Sequence, residues 1–205
     1  MGKKGMCIQL RKSWVKFFSQ AIQGLVYYFM ESAPAHEILP GLWLGNKAAS
    51  QDTQWLRSHQ IGAIFNCTKD IPFVQGIVPH MYRIPVDDNL QPDEIRNLGG
   101  WAWEICVKLN RERSQGQRIL VHCFAGMQRS AAVVAMLLLA NYRCTTDEAI
   151  AFIKSRRPVA FLGFANFHPA IKHFETALQK MISETEDGYR KFPRIPLPTD
   201  QVTNT

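Results

Sequence analysis

The chain has 205 residues, 46% of them hydrophobic and 20% charged, which excludes a disordered or fibrous protein and suits one globular domain with short appendages. No run of 18 uncharged apolar residues occurs, so no membrane-spanning helix is expected. Of the net charge of +7, five units come from Lys3, Lys4, Arg11, Lys12 and Lys16, all before the first acid, Glu31; the +2 left for the following residues disfavours a duplex-binding surface.

Residues 1–31 read as a basic amphipathic helix. Val15, Phe18, Ile22, Leu25, Val26 and Phe29 follow three-and-four spacing, with Lys12, Lys16, Gln20 and Gln23 opposite. Trp14, Phe17, Ala21 and Tyr28 widen the apolar face, so the helix must bury against something. The segment also mimics a signal peptide ending at Ala33-Pro34-Ala35, but glutamines and a serine interrupt its apolar stretch. Gly2 is no strong acylation signal, because Met6 stands where that motif wants Ser or Thr.

From residue 36 strands and helices alternate. Leu42–Leu44 follows the Pro40-Gly41 turn as a short strand, Gln51–Ser58 is a helix, and Ile61–Asn66 and Met81–Val86 are strands. Pro92-Asp93-Glu94 opens a helix running to about Arg113. Arg118–His122 is a short central strand, and Ala131–Asn141, apolar almost all round, is a buried helix. Thr145 and Thr146 cap a helix to Ser155, and a last helix runs from about Phe167 to Ile182. The pattern predicts an α/β fold with a central mixed sheet of about five strands flanked by helices. It divides the chain into an N-terminal helix (1–34), a catalytic domain (35–183) and a polar, proline-containing, disordered tail (184–205).

Five cysteines, an odd number without a CxxC pair, argue against a disulfide framework or zinc site and for a reducing, cytoplasmic compartment. His168 and His173 have the wrong spacing for one helix face, so neither metal nor cofactor is expected.

The chemistry concentrates in His122-Cys123-Phe124-Ala125-Gly126-Met127-Gln128-Arg129-Ser130, between the central strand and the buried helix. Five residues between Cys123 and Arg129 allow the backbone to curl round one tetrahedral anion with its N–H groups inward. The helix that follows aims its N-terminal partial charge at the same point, and Gly126 supplies the backbone freedom. Arg129 can grip two phosphate oxygens. In that field Cys123 is expected to be a thiolate at neutral pH. Cys-x5-Arg alone is a weak signal; the preceding strand, His122, Gly126, Ser130 and the buried helix supply the specificity.

The segment HCFAGMQRS resembles the active-site loop of the cysteine-dependent protein phosphatases, in the dual-specificity (VH1-like) branch. ILPGLWLGNKAAS is similar to that family's first strand and helix, IPVDDN to its general-acid loop, and SRRPVAF with FHPAIKHFE to its closing segments, covering about residues 37–180. The resemblance implies attack by Cys123 on phosphorus and a cysteinyl-phosphate intermediate that water hydrolyses. Arg129 and the N–H groups of residues 124–129 (Phe124, Ala125, Gly126, Met127, Gln128) would hold the phosphate oxygens. Ser130 matches the hydroxyl that bonds the sulfur, and His122 the neighbour that orients the loop and keeps the thiol ionised. Asp88, directly before Asn89, matches the general acid; Asp87 is the runner-up, and Asp93 reads as a helix N-terminal acid.

Three positions depart from the family pattern: Gln128 where Ser is usual, Ala132 where Thr is frequent, and Phe161-Leu162-Gly163 where a Pro-Asn pair is expected after Arg157-Pro158, with Asn166 a candidate to compensate. Phosphoproteins, bearing phosphotyrosine or phosphoserine/phosphothreonine, are the expected substrates, since Phe124, Met127 and Gln128 bring no charge for a polyphosphorylated ligand. An RNA 5′-triphosphatase and a non-catalytic phosphoprotein-binding module are the alternatives. The N-terminal helix can be a dimer arm, as in the VH1-like proteins of some large DNA viruses, a membrane-surface anchor, or a segment docked on its own domain.

Overall fold

The computed structural model describes residues 33–184 and 194–198. In chain order the elements are β1 (Ala35–Leu39), β2 (Leu42–Gly45), α1 (Lys47–Gln51), α2 (Thr53–Ser58), β3 (Ile61–Asn66), β4 (His80–Arg83), α3 (Pro92–Ser114), β5 (Arg118–His122), α4 (Arg129–Tyr142), α5 (Thr146–Arg156) and α6 (His168–Ser183). The strands form one mixed sheet in the order β1-β2-β5-β3-β4; β1 and β2 are antiparallel, and every other pair is parallel.

Period-two alternation assigns the strand side chains to two cores. Leu42, Leu44, Ala63, Phe65, Ile119 and Val121 face the larger one, built with α3, α4, α5 and α6. Trp43, Ile64 and Leu120 face the smaller one, with Ala49 of α1 and Leu56 of α2. A central parallel strand must be apolar on both faces, and β5 is buried from Ile119 to His122. Helix α4 is buried from Ser130 through Leu139, so the strand and the helix that flank the residue 123–128 loop are both enclosed.

That placement decides where chemistry can occur. The parallel strands β3 and β5 end together, Asn66 beside His122, and the loops after β5 and β4 both open at this carboxyl edge, where α/β sheets bind ligands. Gly41, at φ 73°, turns the chain between β1 and β2. Helix α5 carries the capping box read from the sequence, Thr145 with Glu148.

The structure corrects several expectations. A strand, β1, precedes the first one read, and a separate helix, α1, precedes α2, because Asn46 and Asp52 each cap a new helix through a side-chain bond. The strand expected over 81–86 is His80–Arg83: Pro85 has no N–H to donate, and Ile84 begins the turn toward the loop. Helix α4 starts at Arg129 rather than Ala131. The disorder expected for 184–205 does not hold at 194–198. There Ile195 N–H donates to the Tyr142 carbonyl (3.2 Å), Arg194 pairs with Glu148, and Leu197 packs against the larger core. The expected N-terminal helix falls on residues 1–32, outside the described residues. Among the described residues no helix is long and apolar enough to cross a membrane, and no three His, Cys, Asp or Glu side chains are grouped to hold a metal ion.

Candidate active site

Cys123 follows β5 directly and is only 2% exposed. The loop curls back over it: Gly126 N–H donates to Sγ (3.3 Å), and the Ser130 hydroxyl, from the first turn of α4, donates to the same atom (3.2 Å). Burial by itself pushes the Cys123 thiol up. The Ser130 hydroxyl and N–H, the charge of Arg129 and the Met127 N–H outweigh it, and the pKa is lowered. The other described cysteines behave oppositely. Burial drives Cys67 well above its ordinary value, Cys106 up to about 12 and Cys144 up to about 11. Among the described cysteines one thiol is therefore shifted toward its ionised form and three are shifted away from it.

The loop backbone is held from its outer side by a residue the sequence reading left out of the site. Arg157, fully buried, donates from Nε to the Gly126 carbonyl (2.9 Å) and from Nη2 to the Ala125 carbonyl (3.4 Å), while its Nη1 meets His36 Nδ1 (2.8 Å). A guanidinium gripping the carbonyls outward turns the opposite edges of those peptides, the N–H groups, inward. Burial brings the Arg157 pKa down to about 10, against the pull of the Cys123 charge, so the group stays cationic near neutrality. The signal for it was helical spacing: Thr146, Ala149 and Ile153 are the buried stripe of α5, and position 157 continues it. Gly126 sits at φ 67°, and a Cβ there would lie 2.5 Å from the Gly45 carbonyl oxygen and 2.8 Å from Arg157 Nη2. No other residue fits.

Arg129 opens α4. Its Nη1 donates to the Val86 carbonyl (3.2 Å), which ties the helix start to the loop after β4, while its Nε is buried without a hydrogen-bond partner. A phosphate oxygen would satisfy that donor, whose isolation otherwise costs about 1–3 kcal/mol. His122 is buried, its Nδ1 3.4 Å from the Cys123 carbonyl oxygen. Desolvation, only partly opposed by that bond and reinforced by Arg83 and Arg129, holds its pKa down to about 4. The imidazole is therefore neutral at physiological pH and lends no positive charge to the thiolate. Any influence of His122 on the thiol is therefore exerted through its place at the Cys123 carbonyl and not through charge.

The two acid candidates lie in different surroundings. Asp87 pairs with Lys69 (2.7 Å), which also binds Glu94 (2.6 Å), and Glu94 in turn accepts from the Asp87 N–H (2.9 Å). Asp88, exposed, accepts at Oδ1 from Asn166 Nδ2 (2.6 Å). Asp93 stands in the first turn of α3 and pairs with Arg96. Phe124 projects from the loop, 62% exposed, with Ala125 and Met127 half-buried beside it. Gln128 lies in the loop with its side chain turned into the protein, where it contacts the backbone of residues 164 and 166.

Known proteins resemble this chain in sequence and fold. The family model of the dual specificity phosphatase catalytic domain matches residues 42–177. The chain belongs to this family. Among curated relatives, mouse dual specificity protein phosphatase 2 is 35% identical over 130 residues, 63% of this chain and 39% of the relative. Human dual specificity protein phosphatase 1 is 32% identical over 154 residues, 74% of this chain and 40% of the relative. The chain spans about two fifths of the length of these relatives. Among solved structures, human DUSP28 superposes with a TM-score of 0.64 at 26% identity, covering 72% of this chain and 96% of that one. A mouse putative dual specificity phosphatase complexed with zinc tungstate gives 0.63 at 28% identity, covering 72% and 90%.

In this phosphatase domain Gly126→Ala should destabilise the fold by about 1–3 kcal/mol through backbone strain and collision, seen as a lower denaturant midpoint in chemical unfolding. For His122 the unfolded chain takes up a proton as pH falls below 6.5, while the folded chain resists until about 4. Stability should therefore drop by about 2–3 kcal/mol between pH 6.5 and 4.5, and His122→Gln should flatten that slope in unfolding curves collected at each pH.

Proposed function

We propose that the domain hydrolyses phosphate monoesters on phosphotyrosine and on phosphoserine or phosphothreonine of proteins, through a cysteinyl-phosphate. The observation that carries this reading is the lowered pKa of Cys123 at the base of a loop whose N–H groups and Arg129 face the same point. In the first step the Cys123 sulfur attacks phosphorus. The S–P bond forms as the bond to the substrate oxygen breaks, and Asp88 gives that oxygen a proton. The loop N–H groups and Arg129 hold the three equatorial oxygens, where negative charge is spread. In the second step water attacks phosphorus and yields its proton to Asp88. The S–P bond breaks, and the leaving thiolate is received by the Ser130 hydroxyl.

Asp88 is favoured over Asp87 because its neighbour is a neutral amide belonging to the segment that Gln128 joins to the loop, whereas Asp87 is engaged with Lys69. Protein substrates are favoured by exposed apolar side chains in the loop and in the segments bonded to it. Phe124 and Phe164, 62% and 66% exposed, and Leu90 of the acid loop offer surfaces for side chains flanking a phosphorylated residue. The mouse relative solved with zinc tungstate is consistent with an oxyanion reading, tungstate being a tetrahedral oxyanion like phosphate.

The lowered thiol and the four free cysteines of the described residues support a reducing, cytoplasmic setting. The amphipathic pattern of residues 1–31 supports a dimer arm, with anionic membrane surface as the competing use. Sedimentation of the full chain should then give a dimer and of the chain from residue 32 a monomer; a monomer in both would remove the arm.

Cys123→Ser should abolish turnover while still capturing phosphorylated proteins, and binding of none of them would end the protein-substrate reading. Asp88→Asn should slow hydrolysis of phenyl phosphate by about 10²–10⁴ and of dinitrophenyl phosphate far less, since an acidic phenol leaves without a proton. Steady-state kinetics on both esters would reveal an equal loss, which would remove Asp88 from the acid role.

A further inference from the structure

The segment between α5 and α6 replaces the family's usual Pro-Asn pair with Phe161-Leu162-Gly163, and Gln128 stands in the loop where a serine is usual. The structure joins these two departures. Gln128, 7% exposed, spends both ends of its amide on that segment: Nε2 donates to the Phe164 carbonyl (2.8 Å), and Oε1 accepts from the Asn166 N–H (3.0 Å). Only one orientation of the amide satisfies both bonds, because a carbonyl needs a donor and an N–H an acceptor. A serine is too short to span the gap between two backbone groups two residues apart.

The segment is also anchored at each end. Phe161, buried at φ 53°, donates its N–H to the Met127 carbonyl (2.9 Å), and Phe167 is buried at the start of α6. Gln128 therefore clips an already pinned arch to the cradle. From that arch the Asn166 amide reaches Asp88, Nδ2 to Oδ1 at 2.6 Å. The other bonds of the acid loop hold the neighbours of Asp88: Val86 is held by Arg129, Asp87 by Lys69 and Glu94, and Gln91 N–H by Asn89.

We propose that Gln128 and Asn166 form a positioning relay that fixes the Asp88 carboxyl relative to the cradle and selects the oxygen that carries its proton. Asn166 Nδ2 is only a donor, so Oδ1 must act as acceptor in both protonation states, and the proton of the neutral acid resides on Oδ2. The chain thereby couples the cradle to the acid through two side chains rather than through the missing Pro-Asn pair. Asn166 and Gln128 touch neither phosphorus nor the leaving oxygen; they act through Asp88. The inference rests on Asp88 being the general acid.

The test compares leaving groups. Asn166→Ala should lower kcat/KM about 10–100-fold on phenyl phosphate and less than about threefold on dinitrophenyl phosphate, because misplacing an acid matters only where a proton is needed. Gln128→Met, which keeps the volume and removes both bonds, should show the same selectivity. The double variant should be no worse than the worse single one, since the two residues act in series. Equal losses on both esters in Asn166→Ala, or no loss, overturn the relay, as do effects of the two substitutions that multiply. If Gln128→Met does not fold, Asn166→Ala decides by itself. Asp88→Asn is measured alongside. If it shows the leaving-group signature and Asn166→Ala does not, only the relay falls; if it does not, the acid assignment falls and takes the relay with it.

Discussion

A buried thiol whose pKa is held below its ordinary value is the constraint around which this domain is organised. Desolvation opposes the thiolate, and the same burial raises the three other described cysteines. What reverses the sign at Cys123 is a set of donors aimed at one atom, the Ser130 hydroxyl and N–H and the N–H groups of the loop, with the charge of Arg129 behind them. Such donors act only if they point inward before substrate arrives, which makes loop conformation the quantity the fold must control. Arg157 supplies that control from outside by holding the carbonyls of Ala125 and Gly126. Gly126 permits it by leaving room for the Gly45 backbone and the guanidinium.

Rigidity at the cradle is inherited from its flanks. Strand β5 is central and α4 is buried over most of its length, so the loop between them has two immobile ends. Two further loops are then fastened to it. Arg129 draws in the segment after β4 through the Val86 carbonyl, and Gln128 draws in the segment before α6 through Phe164 and Asn166. The cradle is the hub: the segment after β4 is tied to it at Val86 through Arg129 and at Asp88 through Asn166 and Gln128.

Charge is distributed in keeping with this arrangement. The neutral imidazole of His122 leaves the cations of Arg129 and Arg157 and the loop donors to act on the sulfur. Exposed ion pairs such as Lys108–Glu104 and Lys180–Glu184 lie on helices away from it, where each is worth little individually. Near the cradle Phe124, Phe164 and Leu90 are exposed apolar side chains, with the exposed Lys47 next to Phe124 and Asp88 near Leu90 in sequence.

The sequence by itself determined the strand–loop–helix that holds Cys123, Arg129 and Ser130, because one short stretch of chain carries that chemistry and a buried strand and helix are visible as apolar runs. It also determined most elements of the sheet and helices through period and capping residues, from Ile61–Asn66 to the Thr145 cap. Only the tertiary structure decided the rest. Arg157, far along the chain from Cys123, grips the loop because α5 delivers its buried stripe there. Asn166 meets Asp88, 78 residues earlier, because Gln128 clips one loop to another. The neutrality of His122 was beyond the sequence for the same reason: its pKa is set by burial and by two arginines, and both depend on which segments close over it. Local patterns report what a residue's neighbours along the chain require. Contacts made across the fold depend on how the elements pack, and no short-range spacing encodes that.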